Sequence, residues 1–329
     1  MLINTAGKKI KIGIIGCGSV SELHVQGILA CENAELTCIC DTDPVLLRKR
    51  EIEWNVKSFD SPEALLASDI DAVFILTNVD SHFTLTMAAL NAGKHVLVEK
   101  PVANTLEEIE GMIKLANANG LHCMPAHNYI YSDEMIRLRK NVNSGDFGRI
   151  GVAWILYHIH HDEKLCTRYP GIIRQIGTHL LYVDRFLFGD GVPAAAITSR
   201  IMHPHLSKDE QCLIVMKRSD QSLSNLFASF VVSDNSSNPW TFTVKVLGMK
   251  GSAQISWQDC VFDRQIGTLS RSYDRYEATY EFEIDYFITQ CILNNKPPLS
   301  TLEDARIVLE TMIQAERLSA TDHSPHHEN

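Results

Sequence analysis

The chain has 329 residues, of which 45% are apolar and 21% charged, a balance typical of globular proteins that bury a large core. This length favours two domains over one. The formal net charge of −10 argues against wholesale nucleic-acid binding, which relies on clustered basic residues. No segment approaches the roughly 20 apolar residues of a membrane helix, and Met1–Lys9 lacks a secretory pattern. We therefore expect a cytoplasmic protein with neither a nucleic-acid nor a membrane partner.

The cysteines and histidines form no recognisable metal or disulfide motif. Nine cysteines are scattered along the chain without a Cys-x-x-Cys pair, which predicts reduced and mostly buried thiols. His158 and His160 share one face of a predicted strand, but no third ligand is evident, and hydrogen bonding to sugar hydroxyls is the simpler use. His323, His326 and His327 in the polar tail are expected to be solvated. No metal site is predicted.

Strands and helices alternate in the first third of the chain. Apolar and β-branched runs predict the strands, while N-caps and glycine stops bound the helices. The predicted strands are Ile10–Ile15, Glu35–Cys40, Ala72–Leu76 and Lys94–Val98; the predicted helices are Ser19–Ala30, Val45–Trp54, Ser81–Ala92 and one between Thr105 and Gly120. This alternation is typical of an α/β Rossmann domain, a doubly wound parallel sheet.

Strands outnumber helices after residue 127. The predicted helices among and after them are Thr178–Phe188, Glu281–Leu293 and Thr301–Leu318. This order predicts an α+β domain whose sheet is antiparallel or mixed. We therefore divide the chain into a dinucleotide-binding domain at 1–126, a substrate-binding domain at 127–320 and a disordered tail at 321–329.

A glycine turn follows the first predicted strand. Gly16 and Gly18, with Ser21 in the third position of Gly-x-Gly-x-x-Ser, connect a strand to a helix. Gly16 allows the tight turn, and Gly18 lets the backbone approach a pyrophosphate at the helix N-terminus. Serine replaces the usual third glycine but is small enough for helix–strand packing. The turn therefore predicts a dinucleotide site.

Asp41 ends the second predicted strand, about two dozen residues beyond the glycines. An acidic residue at this place bonds the ribose 2′-hydroxyl of NAD and repels the 2′-phosphate of NADP. The alternative is a turn-forming aspartate in Asp41-Thr42-Asp43-Pro44, although Asp43 fits the cap of the next helix better. No arginine follows immediately, so NAD is favoured over NADP.

Lys100 is the strongest catalytic candidate. In Glu99-Lys100-Pro101 it follows a buried strand, and ligands of open α/β sheets bind outside the carboxyl ends of strands. A lysine ammonium stabilises the alkoxide that develops when a secondary alcohol is oxidised, and a desolvated lysine also exchanges protons. The alternative is a surface lysine that precedes a turn.

With Gly16-Cys17-Gly18, Glu99-Lys100-Pro101 and Gly177-Thr178-His179 in this order, the chain resembles the glucose–fructose oxidoreductase / inositol dehydrogenase (Gfo/Idh/MocA) family over nearly its whole length. The resemblance implies a C-terminal domain with a large open-faced, mostly antiparallel sheet. It implies NAD(P)-linked oxidation or reduction of a sugar, a sugar derivative or a cyclitol. It also implies a homodimer or homotetramer, since exposed sheet faces in this family commonly pair, and a Lys100–Pro101 bond that can be cis.

The same resemblance, together with the motifs above, assigns candidate site residues. Lys100 would contact the reacting hydroxyl and His179 would face the substrate, so both are predicted to be catalytic. Cofactor contacts are predicted at Gly16, Gly18, Ser19, Val20, Asp41, Thr77, Asn78, His82, Glu99, Lys100 and Asn128. Substrate contacts are predicted at Tyr129, Tyr157, Arg168, Arg174, Gln175 and His179. The arginines either bind a substrate phosphate or carboxylate or belong to a solvated basic loop.

Gln175 departs from the family pattern. Inositol-dehydrogenase-like members carry an aspartate four residues before the histidine, and glutamine cannot carry a proton in a relay. Relatives often have another aspartate three residues after the histidine, where this chain has Tyr182, with Asp184 slightly later. Lys100 and His179 would then handle the proton. The alternatives are a non-catalytic NAD-binding regulator and an NAD-assisted glycosidase of the same fold.

Overall fold

The computed structural model describes residues 9–231, 240–256, 260–263, 268–271 and 276–321. The chain forms two compact units, Met1–Tyr131 with Tyr276–Arg306 and Ser132–Arg275 with Ile307–Asn329. Each unit therefore combines two stretches of chain, whereas the sequence analysis placed a single boundary between residues 126 and 127. Apart from Thr321, the predicted tail at 321–329 lies outside the described residues.

The first unit begins with alternating strands and helices. In chain order they are β1 (Ile10–Ile15), α1 (Ser19–Ala30), β2 (Ala34–Cys40), α2 (Pro44–Trp54), β3 (Lys57–Phe59), α3 (Pro62–Leu66), β4 (Ala72–Ile75), α4 (Val79–Asn91), β5 (His95–Val98), α5 (Leu106–Asn119) and β6 (Cys123–Pro125). The six strands are all parallel, in the order β3-β2-β1-β4-β5-β6. This doubly wound sheet confirms the predicted Rossmann fold.

Local sequence signals explain where these helices begin and end. The Asp43 side chain accepts hydrogen bonds from the first backbone N–H groups of α2, which opens with Pro44. Thr105 and Glu108 form a complete capping box at the start of α5, and Gly120 ends that helix with φ at 63°. The strands between them are apolar because helices cover both faces of a parallel sheet, and every residue of β4 is buried.

The remaining helices and strands follow Tyr131. In chain order they are α6 (Asp133–Ser144), β7 (Ile150–Ile159), α7 (Glu163–Arg168), α8 (Thr178–Phe188), β8 (Val192–Ser199), β9 (Gln211–Lys217), β10 (Leu223–Ser229), β11 (Trp240–Gly248), β12 (Ser252–Ser256), β13 (Cys260–Asp263), β14 (Thr268–Arg271), α9 (Glu277–Asp285) and α10 (Leu302–Thr321). A 3₁₀ turn spans Asn128–Ile130, and π-helical segments span Ile173–Gly177 and Tyr286–Leu293.

The sheet of the second unit is mostly antiparallel, as predicted. Its described strands are ordered β14-β13-β12-β11-β7-β10-β9-β8, and β7 and β10 are its one parallel pair among them. The inner face of β7 buries Ala153, Ile155 and Tyr157, and α8 packs against β7 and β10. The opposite face carries Trp154, which is 37% exposed. β7 ends at Ile159, so His160 lies beyond the strand that the sequence analysis extended to it.

Two helices of the first unit approach each other closely. A Cβ at Gly27 of α1 would lie 2.6 Å from the Cδ1 atom of Ile284 and 3.1 Å from the backbone oxygen of Tyr280, both on α9. The absence of a side chain at Gly27 therefore lets α9 pack directly on the helix that follows the glycine turn. Among the described residues, no helix combines the length and apolar character that crossing a membrane requires.

Candidate active site

The parallel strands of the first unit bring five predicted cofactor positions to one edge of the sheet. Gly16 follows β1, Asp41 follows β2, Thr77 follows β4, Glu99 follows β5 and Asn128 follows β6. Because all these strands point the same way, their carboxyl ends lie at the same edge. The strand order reverses between β1 and β4, which is where open α/β sheets have their ligand crevice.

Glycine is required at the two positions of the turn for different structural reasons. Gly16 has φ at +98°, and a Cβ there would lie 2.7 Å from the carbonyl carbon of Leu76. At Gly18 a Cβ would meet no atom within 4 Å, so the surface in front of this residue is open. Gly18 is also the N-cap of α1 and offers no side chain to its first N–H groups. The turn therefore fits a pyrophosphate, which binds such N–H groups directly.

Asp41 is tied to the glycine turn. Its Oδ2 atom accepts a hydrogen bond from the backbone N–H of Cys17 at 2.6 Å, and its Oδ1 atom accepts one from the backbone of Asp43 at 2.8 Å. Asp43 itself caps α2 through hydrogen bonds from Val45 and Leu46. The two aspartates thus have separate structural tasks, and the carboxylate of Asp41 keeps further lone pairs for a ligand hydroxyl.

His82 links the loop after β4 to the loop after β5. The side chain is buried, and its Nε2 and Nδ1 atoms each lie 2.9 Å from a carbonyl oxygen, that of Thr77 and that of Pro101 respectively. The peptide bond between Lys100 and Pro101 is cis. Asn78 is the N-cap of α4, and the hydroxyl groups of Thr77 and Ser81 lie 2.6 Å apart beside it. His82 therefore contributes to the site by fixing the backbone of Thr77 and Pro101 in the two loops.

Glu99 is buried and paired with a histidine of α1. Its Oε1 atom lies 2.9 Å from the Nε2 atom of His24, and the His24 ring packs edge-on against Phe74 and Tyr280. Burial raises the pKa of the Glu99 carboxyl, but the hydrogen bond and charge of His24 and the charge of Lys100 outweigh it, so the pKa is lowered overall. Glu99 is therefore a buried negative charge beside Lys100.

Lys100 follows Glu99 in a half-buried position, where its backbone N–H donates to the Oε2 atom of Glu99 at 2.9 Å. Burial lowers the pKa of its amino group, and the negative charge of Glu99 opposes this effect without cancelling it. A lysine with a lowered pKa changes its protonation more readily near neutral pH than an exposed lysine does. This is the behaviour that proton exchange with a substrate hydroxyl requires.

Two buried titratable side chains near this edge, His127 and Glu283, were not among the predicted site residues. The Nδ1 atom of His127 lies 2.7 Å from the hydroxyl of Ser300, and burial lowers the pKa of His127 to about 3. Glu283 on α9 is fully buried, and neither carboxylate oxygen has a hydrogen-bond partner among the described residues. Burial, and then the charge of Glu99, raises its pKa well above the usual value. The helical spacing of Glu283 from Tyr280 and Phe287 was the available signal that it faces inward.

Asn128 and Tyr129 lie in the 3₁₀ turn after β6. Both are buried, with 2% exposure each. The Nδ2 atom of Asn128 donates to the hydroxyl of Thr279 at 2.7 Å, and the ring centroid of Tyr129 lies 6.1 Å from that of Tyr276. Both side chains therefore have structural partners on or beside α9, and their predicted ligand contacts stay predictions.

In the second unit, His179 lies near the start of α8 and is 4% exposed. The ring of Tyr157 stacks on it with centroids 5.8 Å apart and planes 16° apart. The hydroxyl of Tyr182 lies 2.8 Å from its Nδ1 atom. Tyr157 and Tyr182 thus fix the ring, and the structure brings together two residues, Tyr157 and His179, that the sequence analysis placed at the substrate.

Gln175 lies in the π-helical segment just before α8. Irregular helical turns of this kind are frequent at functional sites, and sequence periodicity does not reveal them. Arg174 forms two hydrogen bonds with Glu316, at 2.7 and 2.9 Å, while Arg168 is exposed at the end of α7. Asp184, the aspartate after His179, accepts from Arg218 at 2.5 Å. These ion pairs give Arg174 and Asp184 structural partners within the second unit.

Residues 10–127 match the family model GFO_IDH_MocA, described as an oxidoreductase family with an NAD-binding Rossmann fold. D-apiose dehydrogenase of Paraburkholderia graminis is 27% identical over 222 residues, which are 65% of this chain and 59% of that protein. The 1-carboxy-3-chloro-3,4-dihydroxycyclo hexa-1,5-diene dehydrogenase of Comamonas testosteroni is 30% identical over 187 residues, 54% of this chain and 47% of that protein. The chain thus spans about half the length of these relatives.

The fold agrees with solved structures over most of its length. The crystal structure of myo-inositol 2-dehydrogenase from Lactobacillus plantarum has a TM-score of 0.83 and 22% identity, and the match covers 96% of this chain and 98% of that one. At this identity the similarity establishes the fold. Together with the family match over the Rossmann sheet, it confirms the resemblance that the motifs indicated. Residues 10–127, which form the Rossmann sheet and its helices, are thus similar to the GFO_IDH_MocA family of oxidoreductases.

Proposed function

We propose that the protein is an NAD-dependent oxidoreductase acting between nicotinamide and a secondary hydroxyl or ketone of a sugar, sugar derivative or cyclitol. The observation that carries this proposal is the environment of Lys100. It is half-buried beside the buried Glu99 at the carboxyl end of β5, the edge that also carries the glycine turn and Asp41. The names of the relatives, a D-apiose dehydrogenase and a myo-inositol 2-dehydrogenase, support a polyhydroxylated substrate.

The glycine turn and Asp41 would hold the cofactor. The open surface at Gly18 and the uncapped N–H groups of Ser19 and Val20 suit a pyrophosphate. Asp41 would accept hydrogen bonds from the adenosine ribose, and its negative charge would repel a 2′-phosphate. This repulsion is the reason for proposing NAD rather than NADP.

Nicotinamide, when bound, supplies hydride transfer, and the chain itself must move the proton. In its neutral form Lys100 accepts the proton of the substrate hydroxyl, and in its charged form it stabilises the alkoxide. Its lowered pKa makes the neutral form more available. Oxidation should therefore become faster as the pH rises through the pKa of Lys100, because only the neutral amine accepts a proton.

His179 is the second proposed proton-handling residue. Tyr182 and Tyr157 hold its ring in one orientation, which a group that accepts or relays a proton requires. Gln175 would donate and accept hydrogen bonds with a substrate hydroxyl without carrying a proton. Tyr129, Tyr157, Arg168 and Arg174 remain proposed substrate contacts, with Arg174 the weakest of them because Glu316 already binds its guanidinium.

We further propose that the outer face of the second sheet pairs two copies of the chain. Trp154 and Ile197 are 37% and 50% exposed on this face, and the strand register places half-exposed Leu156, Leu213 and Phe227 in one row with Ile197. An apolar surface of this kind on a soluble domain is typical of an interface. Sedimentation of the purified protein as a monomer would contradict this assignment.

A non-catalytic NAD-binding regulator is the second candidate, because Gln175 replaces a proton-carrying aspartate. The two functions are separated by measuring NADH formation with a panel of cyclitols, pentoses and sugar phosphates, including myo-inositol and D-apiose. Glycosidic cleavage without net NADH would indicate the NAD-assisted glycosidase instead. NAD binding with no turnover on any member of the panel would favour the regulator.

The decisive variant is Lys100→Ala. Removing a positioned acid–base group costs about 10²–10⁴ in turnover, so we expect kcat to fall by this factor. NAD affinity, measured by calorimetry, should change less than threefold, roughly 0.6 kcal/mol. Lys94→Ala is a matched control, since Lys94 precedes β5 at its amino end, opposite the proposed site, and its amine donates to the carbonyl oxygens of Ser68 and Ile70. Unchanged turnover in Lys100→Ala would remove the central element of the proposal.

A further inference from the structure

Three metal-ligating side chains of the second unit meet outside the proposed active site. Cys166 of α7, with His203 and Glu210 from the segment between β8 and β9, each offer a ligand atom, and these atoms all lie within 4.8 Å of one another. Their exposed fractions are 4%, 9% and 1%. A buried thiol, imidazole and carboxylate that converge in this way form a ligand set rather than a solvated surface cluster.

Sheet topology brings these residues to one end of the second sheet. β8 and β7 both run parallel to β10, whereas β9 runs antiparallel to it, so β7, β8 and β10 end where β9 begins. Residue 210 directly precedes β9, and its backbone N–H donates to Ser199 at the end of β8. Its carbonyl accepts from Phe230 just beyond β10. Glu210 is thereby fixed in the backbone frame of three strands.

The carboxylate of Glu210 is already organised as an anion. Its oxygen atoms accept hydrogen bonds from the backbone N–H groups of Ile201, Met202 and His203, with N···O distances of 2.9 to 3.2 Å. The Nδ1 atom of His203 lies 2.5 Å from the Oε1 atom of Glu210. Burial raises the pKa of Glu210, but these hydrogen bonds outweigh it and lower the pKa overall. The loop therefore surrounds a buried negative charge that a cation would complement.

Cys166 faces this charge from α7, with its Sγ atom 3.8 Å from the carbonyl oxygen of His161. Burial, and then the charge of Glu210, raises the pKa of the thiol. A thiol next to a carboxylate is unsuited to nucleophilic chemistry, because both effects oppose formation of the thiolate. A divalent cation reverses this situation, since a coordinating thiol is deprotonated outright.

We propose that Cys166, His203 and Glu210 bind one zinc ion. Thiolate, imidazole and carboxylate are the ligands that zinc takes in tetrahedral sites, whereas magnesium and calcium prefer oxygen ligands alone. On binding, the Cys166 thiol loses its proton to solvent. The proton on the Nδ1 atom of His203 also leaves, to solvent if the ring is an imidazolium and to the Nε2 atom of the same ring if it is neutral. The Nδ1 atom of His203 and the Oε1 atom of Glu210, which lie 2.5 Å apart, separate to admit the ion, since zinc binds each such atom at about 2.0–2.2 Å. The imidazole ligates as the neutral ring, and a water molecule completes the four ligands.

Zinc at this place would cross-link α7 to the segment between β8 and β9. α7 lies directly before the π-helical segment that contains Gln175, so the cross-link would restrain the chain leading into that segment. The expected effect is to restrain this part of the chain, and it is independent of the proposed oxidoreductase activity. Zinc binding is therefore measurable whether or not a substrate is ever found.

The test uses the full chain after treatment with a chelator, titrated with zinc chloride by calorimetry. We expect one zinc ion per chain with a dissociation constant in the micromolar range or below. Cobalt(II) in place of zinc should produce the near-ultraviolet charge-transfer absorption of a thiolate ligand. Cys166→Ser should abolish that absorption, and both Cys166→Ser and His203→Gln should weaken zinc binding at least tenfold.

Two controls separate this site from other sources of binding. Cys212→Ser alters another buried cysteine of the same unit and should retain the cobalt spectrum. Replacement of His323, His326 and His327 by alanine removes the histidines of the tail and should retain full zinc affinity. Zinc binding that is lost in the tail variant but survives Cys166→Ser would overturn the proposal. The proposal would also be overturned if the wild-type chain bound no zinc or gave no thiolate absorption. This second test does not depend on whether any variant folds.

Discussion

The two units place their candidate residues in different ways. In the first unit, five of the predicted cofactor residues lie in the segments that follow strands, and parallel pairing brings those strand ends to one edge. In the second unit, His179 lies on a helix and Tyr157 within a strand, and their contact exists because α8 packs on the inner face of the sheet. The residues of a site at strand ends can be predicted from the order of strands in the sequence. The residues of a site between a helix and a sheet depend on how the strands pair and on how the helix packs against them.

The comparison predicts that residues of the two kinds respond differently to substitution. A residue at a strand end acts through its own side chain or backbone group, so its substitution should weaken the binding or reaction of one ligand. Residues on packed faces act through each other, so their variants should be non-additive. Four sets of substitutions test this difference, in order of decreasing expected effect.

His179→Gln should give the largest effect in the second unit. It removes a proton-handling group, which is worth about 10²–10⁴ in turnover, while Gln keeps a hydrogen-bonding side chain of similar size. Tyr182→Phe removes only the partner of Nδ1 and should cost a smaller factor, with an altered pH profile of kcat. If Tyr182→Phe left both kcat and its pH profile unchanged, the tyrosine would not position the ring. A double variant no worse than His179→Gln alone would show that the two act as one unit.

Asp41→Asn should change the choice of cofactor. Loss of the negative charge removes a charged hydrogen bond worth about 1.5–3 kcal/mol, so NAD affinity should fall by a factor of ten or more while NADP affinity does not. The ratio of the two dissociation constants is the measurement, because it cancels any general loosening of the glycine turn. Asp43→Asn, two residues away at the cap of α2, is the control and should leave the ratio unchanged. An unaltered ratio in Asp41→Asn would exclude the ribose assignment.

Gly16→Ala and Gly18→Ala should separate fold from ligand binding within a single turn. Alanine at position 16 would have φ at +98° and a Cβ 2.7 Å from backbone, so we expect it to lower the free energy of unfolding by about 1–3 kcal/mol. Alanine at position 18 meets open space and should leave thermal stability unchanged while weakening NAD binding about tenfold, or 1.4 kcal/mol. Equal loss of stability in both variants would contradict this division of roles.

Glu283→Gln should stabilise the protein at neutral and alkaline pH. Burial raises the folded-state pKa of Glu283 above its unfolded value of about 4.3. The contribution of protonated Glu283 to the free energy of unfolding is fully present below the pKa of this group in the unfolded chain. It is lost as the pH rises through the pKa of the group in the folded protein. Glutamine carries no proton to lose, so its thermal midpoint should exceed that of the wild type increasingly from pH 5 to pH 8. Glu281→Gln, at a half-exposed position on α9, should show no such trend.

Sequence patterns alone determined the Rossmann sheet, the glycine turn, Asp41 and the position of Lys100. These features follow from local periodicity, caps and the order of strands, which neighbouring residues encode. The same patterns also indicated an antiparallel or mixed second sheet, but not that β7 and β10 form the parallel pair among its described strands, because pairing partners distant in sequence leave no local signal.

Only the tertiary structure decided which side chains meet. In the folded chain, Glu99 pairs with His24, 75 residues away, and Tyr157 stacks on His179. Arg174 forms an ion pair with Glu316, 142 residues away. The tertiary structure also brought Cys166 to His203 and Glu210, where cysteine spacing had predicted no metal site. The physical reason is the same in each case: a side chain's charge and partners depend on packing between elements that are far apart in the chain, and no spacing rule describes that packing.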